Sequence, residues 1–84
     1  MQPELHFSGH DAVQALLREL RIKAGLRQAD VAKKLRAPQS FVSKYEVGER
    51  RLDIIEIRAI CSLFGLSLSE FVKRLEKKLA GRMP

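Results

Sequence analysis

Residues 25–46 read GLRQADVAKKLRAPQSFVSKYE, and this stretch decides the fold. Its first half repeats Val31 and Leu35 four apart beside the small Ala32, which predicts a short helix from about Gln28 to Leu35. The connection Leu35-Arg36-Ala37-Pro38 ends that helix, because proline is comfortable only in the first turn of a new one. From Pro38 to about Val47 the pattern turns Val42 and Tyr45 inward and leaves Gln39, Ser40, Ser43 and Lys44 outward. Two short helices joined by about three or four residues form a helix-turn-helix unit, whose second helix fits the DNA major groove. The outward amide, hydroxyl and ammonium groups are those that reach base edges and phosphates. The stretch therefore predicts a DNA-binding domain.

Working outward, Val13, Leu16, Leu17, Leu20 and Ala24 make a helical stripe, so a first helix is expected from about Gly9 to Ala24. Ser8 and Asp11 resemble an N-terminal capping pair, and Gly25 is a good stop because glycine tolerates the left-handed conformation. Ile22 lies off the stripe and is expected to be partly exposed. On the other side, Gly48 ends the third helix, and Asp53 with Glu56 fits the cap and third position of a fourth. That helix carries Ile57, Ile60, Leu63 and Phe64 inward and stops at Gly65. Ser67 and Glu70 form a second capping pattern, opening a fifth helix that runs to about Ala80. Its apolar side is Leu68, Phe71, Val72, Leu75 and Leu79. Nothing alternates with period two over a strand length. The expected fold is all-α, a compact five-helix domain over 9–80, with an arm at 1–8, a tail at 81–84 and the helix-turn-helix at about 28–47.

The 84 residues allow one modest core, and 45% hydrophobic residues suit a globular chain. The net charge is +6, and its distribution says more than its total. Ten basic residues face four acids between Arg18 and Arg51, whereas Leu52 to Val72 carries one base and three acids. A basic segment centred on the two-helix motif suits a polyanionic partner. No apolar run approaches the roughly 20 residues that cross a bilayer, so no membrane partner is expected. The first residues lack the basic and apolar regions of a signal peptide. A single cysteine cannot form an internal disulfide, which favours a reducing cytoplasm.

Other chemistries find little support. His6 and His10 are four apart, but no third ligand lies near them in sequence, so no metal is expected. Cys61 has no nearby histidine and reads as a small core thiol. There is no phosphate-cradling glycine loop and no Ser/His/Asp set, so no enzyme and no cofactor are expected. Lys73, Arg74, Lys77 and Lys78 read as a solvated face near the end of the fifth helix. With no sensing domain beyond the helices, control by concentration or by a partner is expected rather than an effector pocket.

A family resemblance rests on Leu17-Arg18, Leu20-Arg21, Gly25-Leu26, Gln28, Val31-Ala32, Leu35, Gln39-Ser40, Val42-Ser43-Lys44, Glu46, Gly48 and Arg50. It continues through Phe64-Gly65-Leu66-Ser67-Leu68 and Glu70-Phe71. From Leu17 to about Phe71 the chain resembles the Cro and lambda-repressor-like helix-turn-helix domains, the xenobiotic-response-element (XRE) family of transcriptional regulators. The resemblance implies a homodimer that binds a pseudopalindromic operator on double-stranded DNA, most often as a repressor. It implies base reading by Gln39, Ser40 and Lys44, with Gln39 suited to adenine and Lys44 to guanine. It implies backbone contact by Gln28, Ser43, Arg50 and Arg51, with Gln28 also steadying the third helix. Arg21 and Glu46 match a structural ion pair. Arg27 stands where the family usually has a Ser or Thr cap, and could reach a phosphate instead. Arg36 replaces a turn glycine, Pro38 a serine cap and Leu52 a frequent proline. An alternative within the same fold is an antitoxin or other module that binds a protein partner such as a toxin, for which an exposed apolar fifth helix would be the mark.

Overall fold

The computed structural model describes residues 9–81 and contains five helices: α1 (His10–Lys23), α2 (Gln28–Leu35), α3 (Gln39–Val47), α4 (Ile54–Leu63) and α5 (Leu68–Ala80). The expected arm at 1–8, with its Ser8 cap and His6, lies outside the described residues, as do residues 82–84 of the tail. No strand occurs among the described residues.

Each of the first four helices ends by folding the chain back on itself. The amide of Leu26 donates to the Arg21 carbonyl, that of Ala37 to Ala32, that of Glu49 to Lys44 and that of Leu66 to Cys61. This closure needs a left-handed residue just past the helix. Gly25, Gly48 and Gly65 supply it after α1, α3 and α4, and Arg36 supplies it after α2 at φ 57°. Arg36 is the one non-glycine residue with positive φ among those described, a conformation that costs an L side chain about 1–2 kcal/mol.

α2 packs mainly on α3, α3 rests on α1, and α4 and α5 close the back against α2 and α1. The core joins Leu16, Leu17 and Leu20 of α1 to Val31, Val42, Tyr45, Ile60 and Phe71. Cys61 is fully buried among them, and burial pushes its thiol up to about 11. Three expectations are corrected. Ala12 rather than Ala24 completes the buried face of α1, since Ala24 already lies past the last turn. Val72 is 40% exposed, so the inward side of α5 narrows to Phe71 flanked by half-buried Leu68, Leu75 and Leu79. Pro38 is the N-cap of α3, with ψ 152°, and not a residue of its first turn.

Candidate nucleic-acid interface

α3 has nine residues, shorter than the ~12–15 an isolated helix needs to persist in water. Its orientation is therefore set by what grips it. The inward grip is Val42 and Tyr45, both essentially inaccessible. A second grip is ionic. The Arg21 guanidinium donates from Nε to Glu46 Oε2 at 2.7 Å and from Nη2 to Glu46 Oε1 at 3.0 Å. Its Nη1 donates to the Leu26 carbonyl at 2.9 Å. Gln28 Nε2 donates to Glu46 Oε1 at 3.0 Å. The side chains of Arg21 and Glu46 are 12% and 2% exposed, so this pair acts where solvent screening is weak. The hydrogen bond to Glu46 raises the pKa of Arg21. One carboxylate thus ties α1 and α2 to the last turn of α3.

With the inner side fixed, the outer side is defined. Gln39, Ser40 and Lys44 are exposed on it, and Ser43 is half-buried, its hydroxyl donating to the Ser40 carbonyl at 3.2 Å. Pro38 offers no side-chain acceptor to the first turn, so the Gln39 and Ser40 amides open on the same end of the helix.

The flanking cations already have intramolecular work. The Arg27 amide and guanidinium both donate to Asp30, the amide at 2.8 Å. These bonds, the guanidinium's first, hold the Asp30 carboxyl down at about 2. Only half of a capping box is present there, since a guanidinium has no acceptor to return. Arg50 donates to Glu56 Oε2 at 2.7 Å and to the Arg51 carbonyl at 2.8 Å, and its guanidinium lies 5.0 Å from the centre of the Phe41 ring. Arg51 is exposed beside it.

Two contributors escape the sequence reading. Phe41 is half-buried, packs edge-on to Tyr45 at 5.6 Å between ring centres and supports Arg50. Its spacing of four from Tyr45 was the available signal. Glu56 serves both the α4 cap and Arg50, a double role that local patterning shows only in its first half.

Residues 17–71 match the helix-turn-helix family. Among solved structures, the fold is similar to an XRE-family like protein from Pseudomonas syringae pv. tomato, with 41% identity and a TM-score of 0.78 over 84% of this chain and 87% of that one. The restriction-modification controller protein C.Esp1396I is 23% identical with a TM-score of 0.80, covering 89% of this chain and 99% of that one. The clp gene regulator ClgR of Corynebacterium glutamicum is 21% identical with a TM-score of 0.78, covering 95% and 83%. These last two likenesses concern the fold. A curated sequence, the glutamine–fructose-6-phosphate aminotransferase of Methanocaldococcus jannaschii, is 31% identical over 74 residues. That span takes in 84% of this chain and 7% of the enzyme.

Proposed function

The chain belongs to the helix-turn-helix family, and from that premise we propose that it is a DNA-binding transcriptional regulator, a repressor that binds a pseudopalindromic operator as a homodimer in the cytoplasm. The observation that carries the reading is the geometry of α3. Its inner side is clamped by a buried carboxylate, and its outer side presents Gln39, Ser40 and Lys44 to solvent. A helix fixed in this way can enter the major groove with its N-terminal half on base edges. Gln39 suits a bidentate bond to adenine, and Lys44 suits guanine O6 or N7. The open amides of Gln39 and Ser40 suit a phosphate, as helix N-termini do.

The backbone contacts divide by how free each side chain is. Arg51 is the loop cation proposed to neutralise phosphate, with Ser43 beside the groove. Gln28, Arg27 and Arg50 are proposed to touch phosphate while their present partners position them, so removing Arg50 should also loosen the loop that Glu56 secures. In a dimer the two recognition helices would lie about 34 Å apart, one turn of DNA.

The enzyme reading has nothing to build on, since the aminotransferase likeness covers 7% of that protein and the family is a DNA-binding one. Among the described residues no helix is long and apolar enough to cross a membrane. The partner-binding alternative asked for an exposed apolar α5, and only Val72 is strongly exposed there.

The test is selection of bound duplexes from a randomised pool at about physiological salt, where non-specific attraction is partly suppressed. Enrichment of a pseudopalindrome with half-sites about one turn apart is the expected result. Retention without any enriched motif would contradict the reading.

A further inference from the structure

α4 opens with two isoleucines that local physics does not ask for. Ile54 and Ile55 stand in its first turn and are 59% and 69% exposed. A first turn favours acids through the helix dipole, and β-branched residues are only moderate helix formers. Burial does not account for the pair either, since Ile57 and Ile60 supply the inward side of this helix. Val47, 67% exposed, stands at the other end of the loop that joins α3 to α4. Single exposed apolar side chains are ordinary, but three of this size around one loop mark a contact surface.

Charge says what covers it. Asp53 and Arg58 bracket the isoleucines with opposite signs, both are exposed, and neither has an ion pair among the described residues. A surface with an apolar centre and one charge of each sign on either side is complementary to itself across a two-fold axis. With the first turns of two α4 helices antiparallel, Ile55 would meet Ile55 at the axis. Each Arg58 would then face the Asp53 of the other copy. The surroundings allow the approach, because Leu52 to Val72 carries one base and three acids. The outer side of α5 does not, because Lys73, Arg74 and Lys77 are exposed on it and two copies would repel there.

We propose that the first turn of α4 is the contact face of the homodimer, covered by the same face of a second copy of this chain. The proposal rests on the homodimer of the reading above and names its contact. The patch is small, so the pairing belongs with weak, concentration-dependent associations. Ile54, Ile55, Asp53 and Arg58 are not among the residues proposed to touch DNA, so the two roles can be tested apart.

The experiment is sedimentation of the full chain without DNA, from about one micromolar to about one millimolar. A monomer–dimer equilibrium within that range is the expected result. Ile55→Asp, outside the core and in a turn that favours acids, should leave thermal unfolding unchanged and raise the dissociation constant by about thirtyfold or more. Arg58→Glu should raise it several-fold, and Val72→Asp on α5 should leave it unchanged. Under oxidation, Ile55→Cys should form a covalent dimer across the axis and Val72→Cys should not. A parent dimer that Ile55→Asp fails to weaken, or that Val72→Asp dissolves instead, would overturn this face while the homodimer stands. A parent that stays monomeric throughout would overturn both, and the DNA reading of α3 would still be judged by duplex selection.

Discussion

At the start of α4 the Asp53 carboxylate accepts the Glu56 amide at 2.7 Å, and Glu56 returns a carboxylate oxygen to the Asp53 amide at 2.9 Å. At the start of α3 nothing comparable exists, because Pro38 has no side-chain acceptor to offer. α4 closes its own end. α3 is anchored from its opposite end, where Glu46 receives Arg21 and Gln28. α4 ties its third amide, that of Glu56, to the side chain of its own cap, whereas the first turn of α3 has no side-chain acceptor. The basic charge follows the same division, dense from Arg18 to Arg51 and slightly acidic from Leu52 to Val72. What α3 lacks in local stability it receives from behind.

The strongest way to break this contrast is to remove the rear anchor. Arg21→Met should destabilise the domain by about 3–5 kcal/mol, because it strands a buried carboxylate. For a small domain of about 5–15 kcal/mol total stability, this is a large share. Pairing it with Glu46→Leu should recover much of the loss, which urea denaturation of both variants would show. Breaking the α4 cap is expected to cost less. Asp53→Ala should lose about 1 kcal/mol by the same assay, the usual worth of an N-cap. Giving α3 the cap it lacks sharpens the contrast in the other direction. Pro38→Asp should stabilise by about 1 kcal/mol or less and yet weaken DNA retention, because the new carboxylate would cap the first turn and repel a phosphate placed there.

The elements themselves were legible because each announces its ends. Gly25, Gly48 and Gly65 stop helices, Asp53 and Ser67 start them, and the stripe of Leu16, Leu17 and Leu20 fixes the inner face of α1. The start of α3 was harder to place, since proline suits both the cap and the first turn and only ψ separates them. The outward identity of Gln39, Ser40 and Lys44 followed from periodicity. The partners of the cations did not, because Arg50 meets Glu56 and Phe41 only once the loop has folded, and no local pattern encodes that meeting.

Two smaller effects refine the front of the molecule. Arg36→Gly removes a left-handed arginine, and after the extra flexibility of unfolded glycine is subtracted it should gain about 0.5–1 kcal/mol, read as a raised denaturation midpoint. The Asp30–Arg27 contact gives the smallest effect. The Asp30 carboxyl is lowered in the fold from 3.8 to about 2, chiefly by the Arg27 side chain and then its amide. A depressed carboxyl contributes stability above its unfolded pKa and loses it as the pH falls, so the contribution should fade between about pH 4 and pH 2. The carbon resonance of the Asp30 carboxyl, followed over that range, should titrate near the lower end, and in Arg27→Gln it should move back toward the ordinary value.

In the proposed function, the outward face of α3 reads base edges while its inner face is held by Glu46. The most direct test compares the parent chain with Gln39→Ala on the selected duplex and on versions carrying single base-pair changes, with thermal unfolding as a control for the fold. Unchanged unfolding is expected, with a loss of about 1–3 kcal/mol of discrimination at one base pair of each half-site and intact preferences elsewhere. If Gln39→Ala, still folded, ranks every duplex as the parent does, α3 is not the reading helix.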